Sequence, residues 1–446
     1  MFWLEFSVLL AMILIGSQMK GIGLGVMGMV GLLIFILVFN MRPTSPPLDV
    51  MLIIMAIVTT AATLQASGGL DYLVQLAEKI IKSNPSNITF IAPFTVFFLC
   101  LFAGTAHIVY SLLPIISEVA AKKRIRPERP LSISVIASHL ALTGSPMSAA
   151  TAALVVILGY PGALVDIMMI CIPACLIGLT IGCFSVYKKG VELVNDPIFI
   201  EKMKDPEFAA SLDSDEVAQK KELKPGAKTA VLIFSIAIIL IVIAGAFPDL
   251  VPHFEAGAKT LAVNENGSLS MVTIIGVVTL SASAAMMLIT KTSAADVTKM
   301  SLFTSMASAV VSVFGVVWMS STFMGHNADL IQEVLGGVVK DHPWTFSIAV
   351  FALGVLMFSQ AATTKTMMPL GLALGLPPGA LMAIFPAVNS DFVLPGYPTL
   401  LAAINFDRTG STKIGKYVVN HSFMVPGVVA IGVAIAVGFV LGAFIL

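Results

Sequence analysis

Stretches of mostly apolar residues, each close to the roughly 20 that an α-helix needs to cross a bilayer, recur along this chain. The pattern predicts ten spans, at 2–18, 21–40, 48–68, 131–157, 163–187, 228–247, 270–290, 300–322, 380–404 and 418–446. Two further apolar stretches, 88–120 and 344–376, differ. Each has small or polar residues near its middle, Gly104-Thr105-Ala106-His107 in one and Gln360 to Lys365 in the other. Each half of such a stretch is short for a crossing. Backbone broken at membrane depth is tolerated only where it lines a protein cavity, so both are predicted to be re-entrant hairpins that enter and leave on one side.

Charge placement tests this layout through the excess of Lys and Arg on cytoplasmic loops. With the N-terminus outside, twenty-one of the 25 cations fall in inside loops, three (Arg42, Lys259 and Lys340) fall outside, and Lys365 is left over. Without the long 188–228 stretch, which is weak evidence under this rule, the bias is still thirteen to three. A full crossing at either hairpin would collapse it. Both termini are therefore expected outside. The chain then divides into a first repeat, 1–187, a polar, turn-rich cytoplasmic linker, 188–227, and a second repeat, 228–446. Each repeat has three spans, a hairpin and two more spans. Five crossings are an odd number, so the two repeats are expected to be inverted, a plan shared by many secondary transporters. The fold class is thus an all-α polytopic membrane protein with about ten spans and two opposed hairpins.

Both repeats carry a small polar hairpin tip followed by an apolar stretch and a proline (Pro114, Pro369), and both carry a Gly-X-Pro in mid-span, Gly144-Ser145-Pro146 and Gly396-Tyr397-Pro398. A broken helix exposes N-terminal N–H groups that favour anions. Two tips and two breaks can converge on one anionic ligand, with Gly104, Thr105, His107, Ser145, Ser148, Ser359, Gln360, Thr363, Thr364, Lys365, Tyr397 and Thr399 as its candidate contacts. Against this stands the ordinary use of Ser and Thr in membrane helices, to bond the preceding turn or a neighbouring helix. Lys365 could meet a carboxylate of the ligand, or could snorkel to the interface. His107 could pair with a second carboxylate or take up a proton, or simply be satisfied by a backbone carbonyl. Asp391, the one carboxylate placed deep in a span, could balance Lys365 or help to hold a cation. His139 and His421 are read as satisfied core histidines.

Composition removes other classes. The chain is 57% hydrophobic and 11% charged with a net charge of zero, which gives no support to nucleic-acid binding. Cys100, Cys171, Cys175 and Cys183 all lie in apolar stretches and read as small buried residues, not as a disulfide or metal set. No P-loop, zinc motif or catalytic triad pattern occurs, and no cofactor is expected. Arg124 to Arg129 reads as a cytoplasmic anchor and Asp407 to Lys413 as a turn.

Four stretches carry a resemblance over essentially the whole chain. They are Ala62 to Asp71, Arg126-Pro127-Glu128-Arg129-Pro130, Ser359-Gln360-Ala361-Ala362-Thr363, and Phe406 to Lys416 followed by Asn420-His421-Ser422-Phe423. These resemble the anaerobic C4-dicarboxylate transporters of the Dcu family. Lys365 with Thr363 and Thr364 looks closer to the DcuA branch than to DcuB. The resemblance implies a bacterial inner-membrane carrier, not an enzyme, that exchanges fumarate, malate or aspartate for succinate by alternating access. A homodimer and a membrane sensor kinase as partner are compatible with it. The hairpin-plus-broken-helix units are also similar to those of divalent anion/sodium symporters, whose tips carry Ser-Asn-Thr. Here the tips are Gly104-Thr105-Ala106 and Gln360 to Thr363, so sodium coupling is not carried over.

Overall fold

The computed structural model describes residues 1–19, 22–213, 222–255, 257, 260–327, 329–330, 333, 339, 341–357, 359–394, 396–415, 417 and 420–446. Lys20, Lys220, Lys221, Lys259, Lys340 and Lys416 of the cation count, and Pro395 beside the Gly396-Tyr397-Pro398 break, lie outside the described residues.

Every named element is helical. In the first half these are α1 (Phe2–Gln18), α2 (Gly23–Leu37), α3 (Leu48–Ala66), α4 (Gly69–Ser83), α5 (Ile88–Ala103), α6 (Val109–Lys122), α7 (Glu128–Leu140), α8 (Ala149–Leu158) and α9 (Ala163–Tyr187). Two short helices follow, α10 (Pro197–Lys202) and α11 (Pro206–Asp213). The second half has α12 (Ala227–Ala246), α13 (Met271–Thr290), a short α14 (Ala294–Thr298), α15 (Ser301–His326), α16 (Thr345–Met357), α17 (Gln360–Ala373), α18 (Pro378–Ile384), α19 (Pro398–Phe406) and α20 (Met424–Ile445). The predicted hairpins are the pairs α5/α6 and α16/α17, and the predicted broken spans are α7/α8 and α18/α19.

Several expectations change. The first hairpin arm with its 3-10 start, Pro85–Ala103, has 19 residues and is long enough by length and composition to cross a membrane, so it is not a short arm. A helix absent from the sequence reading, α4, meets α3 at 73°. It is amphipathic, burying Leu73, Ala77 and Ile81 and exposing Leu76 and Ile80. The last helix starts at Met424 rather than near 418, because the chain before it forms a bridged turn between Ile414 and His421.

Most of the core is one contiguous apolar cluster drawn from both halves, with two smaller clusters beside it. The principal pairs across them are α9 with α20, α2 with α15 and α3 with α13. Small residues permit this. A Cβ at Gly315 would overlap the carbonyl oxygen of Gly25, so α2 and α15 touch backbone to backbone. Between α3 and α13, Thr60 donates to the carbonyl of Thr279 at 2.9 Å and accepts from Ser283 at 2.9 Å.

The 188–213 segment, read as a turn-rich linker, folds as a packed cap. Leu193, Phe199 and Leu212 bury against Ala121 at the end of the first hairpin. Beneath them Arg126 meets Asp196 at 2.5 Å and Glu128 at 2.8 Å, while Arg129 meets Glu192 at 2.9 Å. Lys202 donates to the carbonyl of Arg408 at 2.8 Å. Glu128 N–H donates to Ser411 Oγ, which donates to Asp407. The basic anchor and the Asp407 turn are thus two sides of one buried polar junction. Burial opposes charge here. Even so, hydrogen bonds from Arg126 and from the N–H groups of Ile198 and Phe199 hold the Asp196 carboxyl below its ordinary range.

Candidate functional site

Each hairpin tip seats on the broken helix of its own half. The first arm ends in Gly104 with φ of 69°, a left-handed cap, and a Cβ there would overlap the carbonyl of Met147 in the first break. In the first half Ser145 donates to the carbonyl of Leu101 at 2.6 Å, and in the second Ser390 donates to that of Phe351 at 2.6 Å. One device thus fastens an arm to a break in each half. The second break is longer than the Gly-X-Pro pattern suggested, beginning with a 3-10 stretch at Phe385–Phe392 that is non-helical at Asn389. Ser390, not a residue beside Pro398, therefore plays the part of Ser145.

The second tip meets its break through Gln360, which donates to Asp391 Oδ2 at 3.0 Å. The other carboxylate oxygen of Asp391 lies 2.9 Å from His139 Nδ1 on α7, a close contact without the alignment of a hydrogen bond. His139 Nε2 lies 2.9 Å from Thr399 Oγ1, and the ring stands edge-on to Tyr397 at 4.9 Å between centroids. His139 is therefore no isolated core histidine. It ties the first broken helix to the second, and the signal available in the sequence was its place one turn before the Gly144-Ser145-Pro146 break. His421 keeps its expected role, with Nε2 2.9 Å from the carbonyl of Val393.

The hydroxyls divide into two kinds. Thr363 and Thr364 donate to the carbonyls of Ser359 and Gln360 at 2.9 and 2.7 Å, and Ser148 donates to that of Leu142 at 2.5 Å while capping α8. Together with Ser145, their protons are used on backbone. Thr105 and Ser359 instead accept, from His107 N–H and Ala362 N–H at 3.3 Å each, and so cap the turns that follow the two tips. That leaves their hydroxyl protons able to donate. His107 is exposed and stacks on Tyr110 at 6.0 Å.

Lys365, one turn into α17, is 2% exposed. Among the described residues its ammonium has no hydrogen-bond partner. It neither snorkels nor pairs with Asp391, whose partners are Gln360 and His139. Asp49, at the start of α3, is the carboxylate whose charge bears on it.

Among the described residues no group of three or more His, Cys, Asp or Glu could hold a metal ion. Two apolar cavities lie elsewhere. One, of about 500 Å³, sits between α4 and α5, and the other, of about 700 Å³, between α1, α15 and the second hairpin. Thr95 in the first and Ser320 and Thr366 in the second are the polar side chains among linings that are otherwise apolar, so the cluster of tips and breaks, where many polar groups converge, is the candidate site.

Residues 1–446 match the model of the DcuA/DcuB family, described as anaerobic C4-dicarboxylate membrane transporter. The chain belongs to this family. The anaerobic C4-dicarboxylate transporter DcuB of Escherichia coli O157:H7 is 39% identical over 99% of both chains. The C4-dicarboxylate transporter DcuA of Wolinella succinogenes is 38% identical, again over 99% of both. Overall identity therefore does not separate the two branches. Among solved structures, the Alcanivorax borkumensis YdaH transporter overlays with a TM-score of 0.49 at 14% identity, covering 93% of this chain and 88% of that one. As a DcuA/DcuB family member, the chain is an all-α polytopic membrane protein and a transporter, not an enzyme.

Proposed function

We propose that this protein carries C4-dicarboxylates across the bacterial inner membrane, taking fumarate, malate or aspartate in and succinate out by alternating access. The observation that carries the reading is the buried Lys365 ammonium, without a partner among the described residues, one turn beyond a hairpin tip, in a chain whose relatives bear the names of C4-dicarboxylate transporters. A buried charge left unpaired is costly and marks a missing counter-ion. A dicarboxylate supplies one, with the Thr105 and Ser359 hydroxyls and the exposed His107 available for the remaining oxygens.

The two inverted repeats and ten spans belong to this proposal. Their support is that exchanging the halves maps packing pairs onto each other. The α2–α15 pair becomes α13–α3, α1–α2 becomes α12–α13, and α17–α8 becomes α6–α19, while α9–α20 maps onto itself. Rocking or sliding of the hairpin and broken-helix units against α2, α3, α13 and α15 would then expose one site to either side. An elevator within a homodimer is one form of that motion.

Proteoliposomes loaded with succinate and given labelled fumarate test the function. Counterflow that needs internal dicarboxylate is expected, and failure of every C4-dicarboxylate to exchange would remove the reading. A sensor that binds ligand without moving it predicts binding with no flux.

A further inference from the structure

A lysine that is buried and unpartnered raises the question of its proton. Among the described residues the elements packed most closely against α17 are α8, α15, α16, α18 and the 3-10 stretch 385–392, and α1, whose buried Glu5 accepts from Asn327, lines a cavity with it. Of these, α8, α16 and α18 hold no titratable side chain, and α15 holds only His326, its last residue. The 3-10 stretch holds Asp391, engaged by Gln360 and His139. On α3, which packs on α8 and α15, Asp49 is the sole titratable residue. Apart from the charge of Asp49, little among the described residues therefore answers a charge on Lys365, and lipid depth supplies no water to do so. The amine can accept or release its proton without breaking a protein contact.

We propose that Lys365 is a proton-coupling group, taking up a proton from the water side as the dicarboxylate binds and releasing it as the dicarboxylate leaves. The inference rests on the dicarboxylate reading above. The balance is simple: the Nζ lone pair takes one proton, the dianion becomes its counter-ion, and no other bond changes. The loaded site then carries one negative charge less than the ligand alone brings. Influx and efflux of dianions would move equal numbers of protons in opposite directions, so full exchange needs no separate cation.

Calorimetry of succinate binding in buffers of different ionisation enthalpy, at about pH 7.5 where both ligand carboxyls are ionised, reads the protons taken up. The wild-type protein is expected to take up a substantial fraction of one proton per succinate. Lys365→Arg, which stays charged at any accessible pH, is expected to bind with uptake near zero. Binding without uptake in the wild type, or undiminished uptake in Lys365→Arg, overturns the inference and leaves the dicarboxylate reading intact. If the wild type binds no C4-dicarboxylate, that reading itself fails. Should Lys365→Arg not bind, the wild-type affinity is followed from about pH 7.5 to 9.5, above the range in which histidine titrates. A fall approaching about tenfold per pH unit supports the lysine, and a flat profile overturns it.

Discussion

His139 Nδ1 stands 2.9 Å from Asp391 Oδ1, and neither side chain is appreciably exposed. This contact joins α7 of the first half to the broken segment of the second. Removing one partner of a buried polar contact strands the other, at a cost of about 1–3 kcal/mol. His139→Ala and Asp391→Ala are each expected to lower thermal stability in detergent substantially, and the double variant to lose less than the sum of the singles. Strict additivity would show that the two groups are not coupled.

Lys365→Ala is expected to weaken succinate binding by about 2–5 kcal/mol, roughly 30-fold to several thousand-fold, the range for truncating one member of a buried charged contact. Asp391→Asn should not rescue it, because Asp391 is held by Gln360 and His139 rather than by Lys365. Calorimetry of both single variants and the double would reveal any rescue, and with it a Lys365–Asp391 pair.

Gly104→Ala tests how the first tip is seated. Gly104 and Gly159 have nearly the same φ, 69° and 67°, so alanine suffers similar left-handed strain at both, about 1–2 kcal/mol. A Cβ at Gly159 meets nothing nearer than 3.7 Å, whereas one at Gly104 overlaps the Met147 carbonyl. Gly104→Ala is expected to cost clearly more stability than Gly159→Ala and to abolish counterflow. Equal melting temperatures would contradict that seating.

The cap over the hairpin end should loosen in acid. The Asp196 carboxyl is held below its ordinary value, so the stabilisation it provides is present above about pH 4 and is lost as pH falls through that value toward the lowered one. Limited proteolysis of the 188–213 segment by an acid-active protease should accelerate in that window. In Asp196→Asn the acceleration should be absent, with cleavage already fast just above that window.

Sidedness follows from the cation count. A cysteine placed at Lys123 should resist an impermeant thiol reagent in sealed cells, whereas one placed near the N-terminus should react. Labelling of Lys123→Cys from outside would remove the inverted-repeat proposal.

The sequence alone determined the membrane class and the places where its apolar runs are interrupted, because lipid penalises exposed backbone and charge so heavily that any interruption of an apolar run is visible as such. The small polar hairpin tips, and Lys365 as the cation left over from the loops, were legible for the same reason. Tertiary structure decided the partners. Asp391 is opposite His139 rather than Lys365, the hydroxyls of Thr363 and Thr364 are used on their own helix, and the linker folds over Arg126. These outcomes depend on which of several short polar contacts the packed helices allow, and contacts between residues as distant in the chain as His139 and Asp391 leave no local pattern. The amphipathic α4 was missed for a different reason: its apolar face is a helical stripe, not a run, and it stands between stretches whose uniform hydrophobicity draws the eye.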